Sequence, residues 1–175
     1  GQTPYLQEIA NTHRLLGDWE QSHKALDQFY MVNEKNFGEK DLRMLPIIES
    51  MLDWHAESYN VRDPRDSFPS LSAMERLAAK MHVILDDSAD LGDPLTPAKY
   101  LRIGKIQYML ARHIKDFGLP QESGMSITTD RYATERNSPL TSHNYYSRGS
   151  AALQKVVKSV MEQKPSILLD QIEAI

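Results

Sequence analysis

The chain has 175 residues, enough for one domain with its own core, and its 41% hydrophobic and 25% charged content is that of a folded globular protein. It has no cysteine, which excludes disulfides, thiolate metal sites and cysteine nucleophiles, and its net charge of −4 speaks against a nucleic-acid binder. No apolar run reaches the length of a bilayer span, so no membrane insertion is expected, and Gly1-Gln2-Thr3-Pro4 lacks the features of a signal peptide.

Gly and Pro divide the rest into helical stretches. The first runs from about Pro4 to Leu16, with Leu6, Ile9, Ala10 and His13 at helical spacing, and stops at Gly17-Asp18. The second, about Trp19 to Asn36, carries Ser22, Ala25, Leu26, Phe29 and Val32 on one face and ends at Phe37-Gly38, where glycine accommodates a left-handed cap. The third, about Asp41 to Ser58, has the stripe Leu45, Ile48, Met51, Leu52, His55 and Tyr59, with Pro46 in its first turn. A polar link from Asn60 to Pro69 follows.

The fourth helix is expected over about Ser72 to Leu91, opened by a capping box in Ser72 and Glu75 and striped by Met74, Leu77, Ala78, Met81, Leu85 and Ser88. The fifth starts with Thr96 as cap and Pro97 in the first position, and runs to Phe117 before Gly118. Gln121 to Thr141 is polar and reads as a long loop. A sixth helix, about Asn144 to Gln163, carries Ala152, Leu153, Val156, Val157 and Val160, and a seventh begins at Ser166 with Leu168, Ile172 and Ile175. Its apolar, uncapped end reads as a cut from a longer protein. No stretch alternates with period two, so no sheet is expected.

The stretch Ile9-Ala10, Gly17-Asp18-Trp19 and Ser22 resembles the core of the tetratricopeptide (TPR) repeat, in which a large–small pair and a Gly-Asp-aromatic turn precede a small residue on the second helix. Asn33 to Asp41 is similar to the longer repeat variety of kinesin light chains. The resemblance is carried mainly by Leu6 to Ile48. It implies an all-α fold: a short α-solenoid of antiparallel helix pairs, about seven helices in one domain over 1–175, with insertions at 60–70 and 119–142. Phe29 stands where the family favours alanine, which would splay the first pair. A fainter similarity to repeat-containing proteins of the bacterial cell envelope inclines the location toward the periplasm.

In such a stack the first helix of each pair lines the concave face. That implies a protein or peptide partner on Gln7, Asn11, Arg14, Glu49, Asp53, Tyr108, Arg112 and Lys115, a non-catalytic role, and no cofactor. Self-association through Ser166 to Ile175 is the alternative, giving a homodimer. Asp86-Asp87-Ser88-Ala89-Asp90 matches the Asp-Asp-x-x-Asp pattern with which all-helical prenyl-diphosphate enzymes hold magnesium, but no second acidic motif accompanies it. The six histidines show no metal-ligand spacing, so no metal site is expected. Tyr132, Tyr145 and Tyr146, with Arg131, Arg136 and Arg148, flank the long loop and are read as pinning it.

Overall fold

The computed structural model describes residues 3–88, 95–118 and 141–162. Among the described residues the chain is all helical with no strand: α1 (Thr3–Leu15), α2 (Trp19–Phe37), α3 (Met44–Val61), α4 (Phe68–Ser88), α5 (Thr96–Phe117) and α6 (Thr141–Met161). The expected seventh helix and most of the 119–142 insertion lie outside the described residues.

The turns follow from local chemistry. Gly17 adopts φ 76°, a conformation that side-chain-bearing residues rarely take, and Asp18 then caps α2 by accepting the Gln21 N–H at 3.2 Å. Gly38 at φ 92° and Gly118 at φ 72° close α2 and α5, each donating its N–H back to a carbonyl one turn earlier. Before α3, Asp41 accepts the Arg43 N–H and grips the Arg43 guanidinium, which holds its carboxyl well below the usual range, at about 2.

Two expectations about the third link need correction. The polar link is shorter than the 60–70 insertion, since Asn60 and Val61 belong to α3 and α4 already starts at Phe68. Pro69 falls in the first turn, where its missing N–H has no intrahelical partner to lose. Ser72 and Glu75 therefore form no capping box. Both are buried inside α4, and the Ser72 hydroxyl has no hydrogen-bond partner among the described residues.

One continuous core runs from Ala10 to Val160. The predicted stripes of α3 and α4 are buried almost throughout, with Ile48, Leu52, Ala78 and Met81 all fully covered. On α6 the stripe is narrower than expected. Ala152, Val156 and Val160 are buried, whereas Leu153, Val157 and Met161, spaced at four residues, are exposed.

Two close approaches organise the packing. Ser22 of α2 donates its hydroxyl hydrogen to the Ala10 carbonyl of α1 at 2.7 Å and accepts the Trp54 indole N–H of α3 at 2.7 Å. Trp19 packs edge-on against the same Trp54, ring centroids 5.4 Å apart. The first pair is thus not splayed at this crossing, and Phe29 is simply buried. At the other end Gly104 of α5 faces Gly149 of α6. A methyl group on Gly104 would lie 3.3 Å from the Gly149 carbonyl oxygen and 3.2 Å from Leu153 Cγ.

Helices adjacent in sequence make the main contacts, and ion pairs join alternate ones. Arg14 of α1 meets Glu57 of α3, and Glu34 of α2 meets Lys80 of α4 at 2.7 Å. Glu49 and Asp53 of α3 meet Lys99 and Arg102 of α5 at 3.3 and 2.6 Å. Asp86 of α4 meets Lys155 of α6 at 2.8 Å. Early residues of α3 pair with early residues of α5, in the same order, so alternate helices run parallel and neighbours antiparallel.

Replacing Ser22 by alanine removes both hydrogen bonds and leaves the buried Trp54 N–H without an acceptor. We expect a loss of roughly 1–3 kcal/mol in urea unfolding, with Ser22→Thr retaining part of it through its own hydroxyl. Equal unfolding midpoints for Ser22→Ala and the parent chain would show that this crossing does not hold the helices.

Candidate functional site

Two regions combine exposed polar groups with a defined shape. The first is the face shared by α1, α3 and α5. Gln7 and Asn11 are exposed on α1, and Arg14, at the end of the same helix, is bound to Glu57. Glu49 and Asp53, one turn apart on α3, are neutralised by Lys99 and Arg102 rather than left as a bare acidic centre. The Asp53 side chain is nevertheless 74% exposed, so water and partners reach it.

The eight residues expected at a groove are thus only partly brought together. Arg14, Glu49 and Asp53 share the face with Gln7 and Asn11. Burial raises the Tyr59 phenol above its ordinary pKa, with Arg112 near enough to oppose the rise, and Arg112 also pairs with Asp116 at 3.7 Å. Tyr108 turns toward α6, where its ring meets Tyr146 edge-on at 5.6 Å. Lys115, two turns further along, is exposed on the same side of α5 as Tyr108. Lys99 and Arg102 were missing from the expected set. They stand three residues apart and the acidic pair on α3 four, each about one helical turn, and that complementarity of charge is the readable signal.

The second region is a half-open cavity of about 130 Å³ between α2, α3 and α4. The His23 ring interacts with the Asp27 carboxylate one turn on at 3.2 Å and stands edge-on to His55, ring centroids 5.1 Å apart. His55 is 2% exposed, and Trp54 packs on it from its own helix. Each histidine leaves its Nδ1 without a hydrogen-bond partner. Burial works against the Asp27 carboxylate, but the His23 contact and the nearby charges of His23, His55 and Arg76 hold it below its ordinary pKa.

Tyr30 and Lys80 close the far side of the cavity. Burial and its hydrogen bond to Glu34 push the Tyr30 phenol up to about 12, so it stays a neutral donor. Glu34 also suffers burial, yet the hydrogen bonds from Lys80 and Tyr30 keep it below the usual carboxylate range. Arg76 contributes the remaining charge. It also borders a wider groove of about 380 Å³ lined by Glu39, Lys40 and Val83.

A third group surrounds Asp86, which accepts from Tyr100 at 2.8 Å and from Lys155 at 2.8 Å, with His82 at 3.1 Å. Asp87 points instead to Lys40, at 3.3 Å. The two carboxylates of the Asp-Asp pattern therefore address different cations of this chain, and Asp90 lies outside the described residues. Among the described residues no three His, Asp or Glu side chains are grouped to hold a metal ion. None of the described helices is long and apolar enough to cross a membrane. Tyr132, Arg131 and Arg136 are likewise outside the described residues.

Comparisons with family models, with curated proteins and with solved structures find no match to this chain. The tetratricopeptide likeness therefore rests on the residues between Leu6 and Ile48 alone.

Burial holds the His55 imidazole down to about 3, with the charges of His23 and Arg76 acting in the same sense and Asp27 opposing. The folded chain keeps His55 neutral while the unfolded chain takes up a proton near 6.5, so its contribution is complete above that value and drains away as the pH falls toward about 3. We expect stability to decline between about pH 6.5 and 4.5, by up to roughly 1.4 kcal/mol per pH unit from this one group. His55→Phe should flatten that slope in urea titrations at successive pH values; an unchanged slope would place His55 in contact with water.

Proposed function

We propose that the chain is a non-catalytic interaction module whose α1, α3 and α5 face receives a protein or peptide segment of mixed charge. The observation that carries this reading is the row of ion pairs joining these three helices, alternating in sign and still open to solvent at Asp53. The two exposed pairs, Arg14–Glu57 and Asp53–Arg102, contribute little to folding, about 0.2–1 kcal/mol each. A partner can therefore exchange them for its own charges at small cost to the fold. The parallel setting of alternate helices and the tetratricopeptide-like turn at Gly17-Asp18-Trp19 support a solenoid-like stack, the architecture that presents such a face.

Selection of peptides from a random display library against the chain tests the reading. Enriched peptides should carry both acidic and basic residues and lose at least tenfold in affinity with Asn11→Arg combined with Asp53→Lys. Binding should also weaken as salt is raised, because rim charges are screened over a Debye length of ~8 Å at physiological ionic strength. Peptides indifferent to the double change would move the interaction to another surface.

Self-association is a second reading, favoured by the exposed row Leu153, Val157 and Met161 on α6. Sedimentation should then show a dimer that Val157→Glu dissociates. A monomer at high protein concentration rejects it.

A further inference from the structure

The cavity between α2, α3 and α4 has two unlike walls. Met51, Ala73 and Leu77 make one side apolar, and the other presents His23, His55 and Arg76 with Asp27, Tyr30 and Lys80 beside them. We propose that this cavity binds a small organic carboxylate, with its charged end on the Arg76 guanidinium and its hydrocarbon part against Met51, Ala73 and Leu77.

Charge is the first reason. The acidic groups at the cavity are engaged, Asp27 by His23 and Glu34 by Lys80 and Tyr30. Arg76 has no ion pair or hydrogen bond among the described residues, whereas Arg14, Arg43, Arg102 and Arg112 each hold a carboxylate. Its donors are therefore open to a ligand, with the Asp27 carboxylate near enough to feel its charge. A guanidinium presents a planar fork of donors that matches a carboxylate in two parallel hydrogen bonds.

The second reason is the polar lining. Buried polar atoms in folded proteins are nearly always hydrogen-bonded, yet the largely buried His55 and its neighbour His23 each keep a ring nitrogen without a partner at this cavity. A carboxylate oxygen would accept from His55 in the tautomer that protonates Nδ1, whereas His23 already turns its Nε2 to Asp27. Size is the third. A volume of about 130 Å³ exceeds what one water needs and suits a ligand of a few carbon atoms. The apolar wall favours a hydrocarbon tail over a bare inorganic anion. Arg76 and Lys80 also line the wider neighbouring groove, so the charged end of the ligand would face the way in.

The inference is independent of the α1, α3 and α5 face and can be tested without it. The full chain is titrated with butyrate and, separately, with inorganic phosphate while the histidine ring signals are followed by NMR. Butyrate should move the His23 and His55 signals saturably and leave those of His13 unmoved. Arg76→Gln, a change at an exposed position, should weaken butyrate at least tenfold with unchanged circular dichroism. Ala73→Leu, which fills the apolar side, should abolish the response, and Arg112→Gln should leave it intact. No saturable shift, a response to phosphate alone, or butyrate binding that survives Arg76→Gln would overturn the proposal.

Discussion

The fold turns on a single hydroxyl. Ser22 sits where α1, α2 and α3 converge, and its oxygen serves both the Ala10 carbonyl and the Trp54 indole. Only a small side chain permits the approach, and only one that donates and accepts satisfies both neighbours. With Ser22 fixed, Trp54 is fixed, and with it the rotation of α3 about its axis. That rotation puts Glu49 and Asp53 toward α5 and His55 toward α2 and α4. The charged face and the cavity are two sides of one helix, oriented by one contact.

Alternate helices meet mostly through charges, while neighbouring helices meet through apolar stripes. This division has an energetic logic. Burial of the stripes supplies most of the stability, at about 25 cal/mol per Å² of apolar surface removed from water. The ion pairs add little stability but penalise a helix turned to the wrong side, where like charges would face each other. Glu75 is the exception in being buried, 3.4 Å from Gln107 Nε2 and 3.7 Å from Arg148 on α6. A carboxylate there specifies which surface of α4 receives α5 and α6.

Much of this was legible in the chain itself. Gly17, Gly38 and Gly118 were readable as helix ends because a positive φ is cheap only for glycine, and the stripes of α3 and α4 were readable because nearly every member is buried. The start of α4 was misread because Ser72 and Glu75 fit the capping pattern as well as Phe68-Pro69 fits a first turn. In the folded chain Glu75 turns to Gln107, far along the sequence, and spacing carries no trace of that contact. The α6 stripe was read too wide for a related reason. Periodicity marks apolar residues on one side of a helix but not how much of that side a neighbour covers. The cavity was illegible: His23, His55 and Arg76 are scattered residues until α2, α3 and α4 assemble around them.

The facing glycines of α5 and α6 carry a consequence for how the chain assembles. The other helices are joined by links of a few residues, whereas residues 118–140 separate these two. The Gly104 and Gly149 backbones approach closely enough for extensive dispersion contact. The α5–α6 pairing is therefore set by contact between the two helices themselves, through a pair of residues that have no side chain.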